Sequence, residues 1–327
     1  MKNKPLSLNG QMRRLRKEKH ISISGSKDKL SLSNNGYFHG YKGYRFSNNC
    51  PNLPIPFTQY REITALIDYD NALKSLFYPK LMFIETAIRN RCVNAAVYRA
   101  GVEGFNDVFE SVLTDYKSSS AYSGKTYATQ TRNKFRVGVY SKTSQAFHDG
   151  NAMITHYYNT NQLVPFWAAA ELLTMGELSY LYICLDKNLR EEVSKGMGIN
   201  VAFDSDRDFI FLALQTLKDL RNSVAHNNAI FDARFRIKAP SRSLKGLLSS
   251  ETRITGIDFS RIEDYIILVV FLLKHLGEPR TGLLKFVSDY EQSVFAFSVK
   301  VAAPVFNSLF QQNSSNKMIA LKAYIRL

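Results

Sequence analysis

Three polar residues stand close together at the end of an apolar run. In the stretch LKDLRNSVAHNN (217–228), Arg221, Asn222 and His226 fall within six positions. On an α-helix, residues four apart share a face, so Asn222 and His226 lie one turn apart, and the long Arg221 side chain can reach the same cleft. These residue types have a joint use in cleaving RNA without a metal. The ribose 2′-OH attacks the adjacent phosphorus, which requires proton transfer at the attacking and leaving oxygens and stabilisation of a crowded, anionic phosphorane. Histidine, with an ordinary pKa of about 6.5, carries protons near neutrality. Arginine binds equatorial phosphate oxygens in a bidentate fork. Asparagine can orient the histidine ring or a phosphate oxygen. One histidine leaves the opposite proton unassigned, and two copies of the motif meeting across a two-fold dimer would supply the second. A plainer account competes: Arg221 pairs with Asp219, Asp232 or a more distant acid, while His226 and Asn227 finish a helix C-terminus, where a cation is favourable.

The charge of the chain narrows the partner. The 327 residues carry a formal net charge of +15, which points to a polyanion, with an acidic membrane surface as the other candidate. The excess is regional. Residues 1–61 hold 12 Lys/Arg against two acids, and the acid-free window from Tyr116 to His148 adds Lys117, Lys125, Arg132, Lys134, Arg136 and Lys142. Three distant cysteines (Cys50, Cys92, Cys184) form no CxxC, so neither a zinc site nor a disulfide framework is expected, and a reducing cytoplasm fits. No metal and no cofactor are expected. The basic N-terminus lacks the apolar core of a signal peptide. The longest apolar run, YIILVVFLL (265–273), is about half a membrane span and reads as a buried helix.

The elements that must position the motif are helical. Ser7 caps a first helix with Leu8, Met12 and Leu15 inward and its arginines outward. Residues 31–49, rich in Gly, Asn and Tyr, read as a loop or short strand pair, and CPNLPIPF reads as a linker. From Thr58 a helical pattern runs through Leu66, Leu73 and Phe77 to Pro79, and on through Leu81, Ile84, Ile88 and Cys92. Residues 117–145 read as a long polar excursion. Pro165 suits a first helical turn, and Gly176 separates that helix from ELSYLYICL. The acids of DSDRD (204–208) start the helix of Phe209, Leu212, Ala213, Leu217, Leu220 and Val224. Residues 236–256 read as loop, and helices over about 261–276 and 281–311 close the chain. The fold class is mainly α. Two other signals carry little: SGKT (123–126) lacks the first glycine and the strand of a phosphate-binding loop, and His148, Asp149 and His156 match no common metal spacing.

With those residues in view, the chain resembles a known family. LRNSVAHNN is similar to the RN-x-x-x-H signature of HEPN-superfamily ribonucleases. LSNNGYFHGYKGYRF, FIETAIRNR, PFWAAAELLTMGELSYLY and LRNSVAHNNAIFD appear in the order seen in bacterial abortive-infection Abi-like proteins of the AbiD/AbiF type. The similarity covers roughly residues 6–235 and says little about 110–160 or the C-terminal end. It implies a HEPN-type helical bundle with a basic N-terminal arm and loop insertions, acting as a dimeric, metal-independent RNA endonuclease in phage defence. It also implies restraint by, or a complex with, a small structured RNA. Arg221 would then bind phosphate, Asn222 orient and His226 act as acid/base, with Glu85 and Arg89 of the IE-x-x-x-R helix beside the cleft. An i, i+4 salt bridge is the other reading of Glu85 and Arg89. The amide-rich AHNN departs from the basic or Ser-rich turn of many relatives. Some HEPN proteins are silent adaptors, so a non-catalytic RNA-binding module of a ribonucleoprotein defence complex is the alternative.

The resemblance divides the chain into a basic, aromatic-rich RNA-binding segment (1–60) and an α-helical domain (61–327) with polar insertions near 110–160 and 236–258. Arg13, Arg14, Arg16, Lys17 and Lys19 make a cationic stripe. Tyr37, Phe38, Tyr41, Tyr44 and Phe46 interleave rings with His39, Lys42 and Arg45, and Arg132, Lys134 and Arg136 extend the basic set. Cations for phosphates with rings for unstacked bases suit RNA; the charges should face outward and at least half of the rings should be buried. An effector acting on a membrane surface is a third, weaker reading, since no arm of strong apolar moment is evident.

Overall fold

A computed structural model describes residues 5–48, 50–118, 122–310 and 313–327. The fold is mainly α. In chain order come α1 (Leu8–Lys19), α2 (Gly25–Asn35), a π-helical turn Gly36–Lys42, a small antiparallel pair β1 (Phe46–Ser47) and β2 (Cys50–Pro54), and α3 (Tyr60–Ala100). There follow α4 (Phe105–Val112), α5 (Tyr122–His148), α6 (Ala152–Asn159), α7 (Phe166–Glu171), α8 (Met175–Cys184), α9 (Lys187–Gly196) and α10 (Phe209–Ala225). The chain closes with α11 (Arg242–Thr252), α12 (Ile262–His275), α13 (Arg280–Ser298), α14 (Ala303–Leu309) and α15 (Asn313–Arg326).

The spine is α3, 41 residues and so about 60 Å long. It starts where the Glu62 carboxylate accepts the N–H groups of Thr58 (2.8 Å) and Gln59 (3.0 Å) and also that of Ala302 (3.0 Å), which ties the lead-in to α14. It runs on through Pro79, because the stripe Leu73, Phe77, Leu81, Ile84 and Ile88 is fully buried on both sides of the proline. Against it pack α10, α12, α13 and the short helices α4, α7, α8 and α9. Helix α12 is buried along its whole length from Ile262 to Leu273, so YIILVVFLL is core. No helix of the described residues is long and apolar enough to cross a membrane.

Helix α10 begins where expected. The Asp204 carboxylate accepts the N–H of Asp208 and of Phe209, at 3.1 and 3.2 Å, satisfying donors that a first turn leaves free. Phe209, Ile210, Ala213, Leu214, Leu217 and Leu220 are buried, with Leu212 and Val224 half-buried. Ser7 caps α1 as expected, its hydroxyl accepting from the Gly10 N–H at 3.2 Å, with Met12 and Leu15 inward.

Five stretches depart from the sequence expectation. Residues 31–42 are helical, because Leu32, Tyr37, Tyr41 and Tyr44 make an inward face that outweighs Gly and Asn; only 46–54 form the strand pair. The polar stretch 122–148 is a 27-residue helix, α5, held by Phe135 and Val139 on a narrow buried strip. Residues 242–252 are helical, since Ser241 caps Leu244 and the buried Leu244, Leu247 and Leu248 follow. The C-terminal helix breaks near Val299–Ala302, where Pro304 opens α14. Gly176 lies in the first turn of α8, the break falling earlier at Leu172–Thr174.

One buried carboxylate joins three distant stretches. Asp70 on α3 has no exposed surface. It accepts the Tyr44 hydroxyl at 2.8 Å and the N–H groups of Ile230 and Phe231 at 2.7 and 2.8 Å, and it pairs with Lys74 at 2.8 Å. Removing one partner from a buried ionic cluster costs about 3–5 kcal/mol. Asp70→Ala should therefore lower the urea midpoint by a corresponding amount at unchanged m-value, and a midpoint within error of the parent would contradict this role.

Candidate active site

The motif occupies the exposed end of α10. Arg221 is partly exposed, while Asn222 and His226 are exposed. Helix α10 stops at Ala225, and His226 is its cap, donating its N–H to Asn222 O at 2.9 Å. The next residue, Asn227, takes a left-handed φ of 54°, which asparagine adopts more readily than most residues. Its side-chain oxygen accepts from Lys74 at 2.7 Å. The same Lys74 pairs with Asp70, so the turn that follows the histidine is pinned to α3. The imidazole itself takes no hydrogen-bond partner among the described residues and faces solvent.

Arg221 is held from below. Its Nε lies 3.5 Å from the buried Glu85 carboxylate, and its Nη1 donates to the Asn222 side-chain oxygen at 3.4 Å. Glu85 also pairs with Arg89 at 3.4 Å, and Arg89 bonds Glu171 at 3.0 Å and the Leu173 carbonyl at 3.3 Å. Glu85 is 4% and Arg89 8% exposed, so the pair is buried rather than a surface salt bridge. The more distant acid invoked by the plainer account is therefore Glu85, and its contact has a directional consequence. It engages the Nε edge of the guanidinium and leaves the Nη groups, one of which donates to Asn222, free of Glu85. Asn222 in this arrangement steadies Arg221.

The two segments, α3 and the stretch from Arg221 to Phe231, run in opposite directions. Arg221 meets Glu85, Asn227 meets Lys74, and Ile230 and Phe231 meet Asp70. Glu85 and Asp70, 15 residues apart on one face, are separated by about 22 Å of helix and fix both ends of the motif. Asp70 and Lys74 were not singled out from sequence, although a signal existed. An acid and a lysine at i, i+4 sit inside an otherwise apolar stripe, between Leu66 and Phe77.

The basic residues divide into free and consumed. On α1, Arg13 and Lys17 are exposed with no ion-pair partner among the described residues. Arg14 pairs with Glu18 at 2.8 Å, Arg16 donates to the Ile23 carbonyl at 2.8 Å, and Lys19 is half-buried. Tyr37, Tyr41 and Tyr44 are buried, so three of the five rings are core as expected, and these three cannot present a face to a base. His39 and Lys42 are exposed, Arg45 is half-exposed over Phe46, and Phe38 is 72% exposed. Arg132 corrects the sequence assignment. It is buried, stacked on Phe109, and donates to the Leu113 and Phe109 carbonyls at 2.7 and 3.0 Å and to Glu110. A long guanidinium was needed there to satisfy the end of α4. Arg136 pairs with Glu110 at 3.0 Å, and Lys134 alone of that trio stays exposed without a partner among the described residues. His148, Asp149 and His156 form no metal cluster, and no group of three metal-type side chains converges among the described residues.

A mainly helical bundle that mounts an arginine, an asparagine and a histidine on one exposed helix end defines the class. Residues 31–232 match the family described as Abi-like protein, a span that runs from within α2 through the Asp70-bound loop. The chain belongs to that family, and is a protein of the abortive-infection type. No curated protein and no solved structure matches the chain.

The shared carboxylate predicts unequal costs. Glu85→Ala leaves two guanidinium groups without their buried partner and should cost about 3–5 kcal/mol. Arg221→Ala leaves Glu85 still paired with Arg89 and should cost under about 1 kcal/mol, as for a partly exposed pair. Equal shifts of the urea midpoint in the two variants would be inconsistent with Glu85 as the common anchor.

Proposed function

We propose that this Abi-like chain is a metal-independent HEPN-type RNA endonuclease that acts as the toxin of an abortive-infection system. The observation that carries the reading is the anchoring of Arg221 by buried Glu85 at the exposed helix end that also bears Asn222 and His226. Arg221 binds a non-bridging phosphate oxygen with its Nη edge, steadied by Asn222, and neutralises charge as the phosphorane forms. His226 exchanges a proton with the substrate. In a two-fold dimer, one histidine takes the 2′-OH proton as the 2′-oxygen bonds to phosphorus. Its counterpart gives a proton to the departing 5′-oxygen. The products are a 2′,3′-cyclic phosphate and a 5′-OH, and the two protein protons balance.

The exposed basic residues of α1 and the π-helical turn fit an RNA partner, a small structured RNA among the candidates, and the site acts in the cytoplasm. Incubation of purified protein with RNA in EDTA tests the reading. Wild type should cut, and His226→Ala and Arg221→Ala should each lose at least about 100-fold in rate, the scale of a lost proton carrier or charge stabiliser. Undiminished cleavage by His226→Ala would sink it. Salt-sensitive RNA binding with no cleavage by wild type would instead identify a non-catalytic RNA-binding module.

A further inference from the structure

Between the π-helical turn and the chain leaving α10 lies an open groove of about 430 Å³, within the range of small-ligand sites. Phe38, His39 and Tyr44 line one side, and Ser223, Asn228 and Phe235 the other. Ser223 and Asn228 flank His226 in sequence, so the groove is built on the segment that carries the motif, although Arg221, Asn222 and His226 are not among its lining residues.

Its walls are held by bonds that a ligand need not form. The Tyr44 hydroxyl is fixed on Asp70. Arg234 donates to the Gly43 carbonyl, to the Phe46 carbonyl at 2.6 Å and to Asp232 at 2.8 Å, joining the two sides. The surfaces that remain unused are chemically distinct. Phe38 presents an exposed ring with the Lys42 ammonium 4.6 Å from its centre. The π-helical turn produces this arrangement, turning Tyr37 and Tyr41 into the core while Phe38 and Lys42 point outward together. Asn228 is exposed and offers an amide donor and acceptor. No carboxylate lines the groove, so an anionic chain meets no repulsion there.

We propose that this groove is a subsite for one unstacked nucleotide of the RNA, on the segment that carries His226. The base stacks on Phe38, its edge meets Asn228, and Lys42 sits near the adjoining phosphate. Ring, amide edge and cation are the set by which proteins hold splayed RNA bases. The inference rests on the RNA reading above and adds to it a place where base identity is sensed.

The test uses full-length protein carrying His226→Ala, so that RNA remains intact, and oligoribonucleotides with a single 4-thiouridine at successive positions. Photocrosslinking should map to the peptide bearing Phe38 and His39 for one position of the label. Adding Phe38→Ala should remove that crosslink and weaken binding about five- to hundredfold, the scale of one lost base stack. Phe38→Trp should restore it. Because Phe38 is exposed, the urea midpoint should not move. In the otherwise wild-type protein, Phe38→Ala should flatten base preference at the crosslinked position. Retained RNA binding with crosslinks only elsewhere, or unchanged affinity in Phe38→Ala, would remove the subsite and leave the endonuclease reading standing. Absence of any RNA binding would remove both, and crosslinking at Phe38 by a protein that never cuts would keep the subsite and remove the nuclease.

Discussion

A carboxylate with no exposed surface has to be fully partnered, and in this chain the partners of Asp70 come from everywhere that matters. Ionised carboxylates cost several kcal/mol to bury unless charge and hydrogen bonds replace water. Asp70 obtains Lys74 from its own helix, the Tyr44 hydroxyl from the aromatic N-terminal segment, and two backbone N–H groups from Ile230 and Phe231. Those stretches lie 26, 160 and 161 positions away. The path of the chain after His226 is therefore set by a charge on α3. Lys74, oriented by Asp70, holds Asn227 in its left-handed conformation, so the histidine end and the N-terminal aromatic turn are one mechanical unit.

Much of this order was legible in the residues. The start of α10 at the DSDRD acids, the Ser7 cap and the burial of YIILVVFLL all follow from local rules: acids or hydroxyls at helix starts, and unbroken apolar runs inside. The motif could be read because Arg221, Asn222 and His226 interrupt an apolar period. What was illegible has a common cause. Residues 122–148 carry few apolar side chains, and only the narrow strip at Phe135 and Val139 reports a partner surface. The turn 36–42 is rich in glycine, yet the packing of its tyrosines decides its conformation. Tertiary contact overrides propensity in both places. The link from Glu85 to Arg221 spans 136 positions, and no local pattern announces such a pairing.

Net charge also proved a coarse guide to surface. Arg89, Arg132, Arg190, Arg207 and Arg234 spend their guanidinium groups on carboxylates and carbonyls within the fold. Arg132 shows why counting cations misleads, since a buried arginine can serve as a multi-donor staple. Exposed cations remain on α1, α2 and the π-helical turn, among them Arg13, Lys17, Lys27, Lys29 and Lys42, and also elsewhere, as at Lys134, Lys187, Lys238, Arg242, Arg253 and Arg280. Part of the available positive surface therefore lies on the N-terminal unit that Tyr44 joins to Asp70.

The chemistry at that motif is read most directly from the ends of the RNA it produces. Wild-type protein, incubated with a defined RNA in EDTA, should yield fragments ending in a 2′,3′-cyclic phosphate and beginning with a 5′-OH, because the attacking group is the neighbouring 2′-oxygen. Fragments ending in a 3′-OH and beginning with a 5′-phosphate would mean that water attacks phosphorus instead, and would contradict the role given to Arg221 and His226.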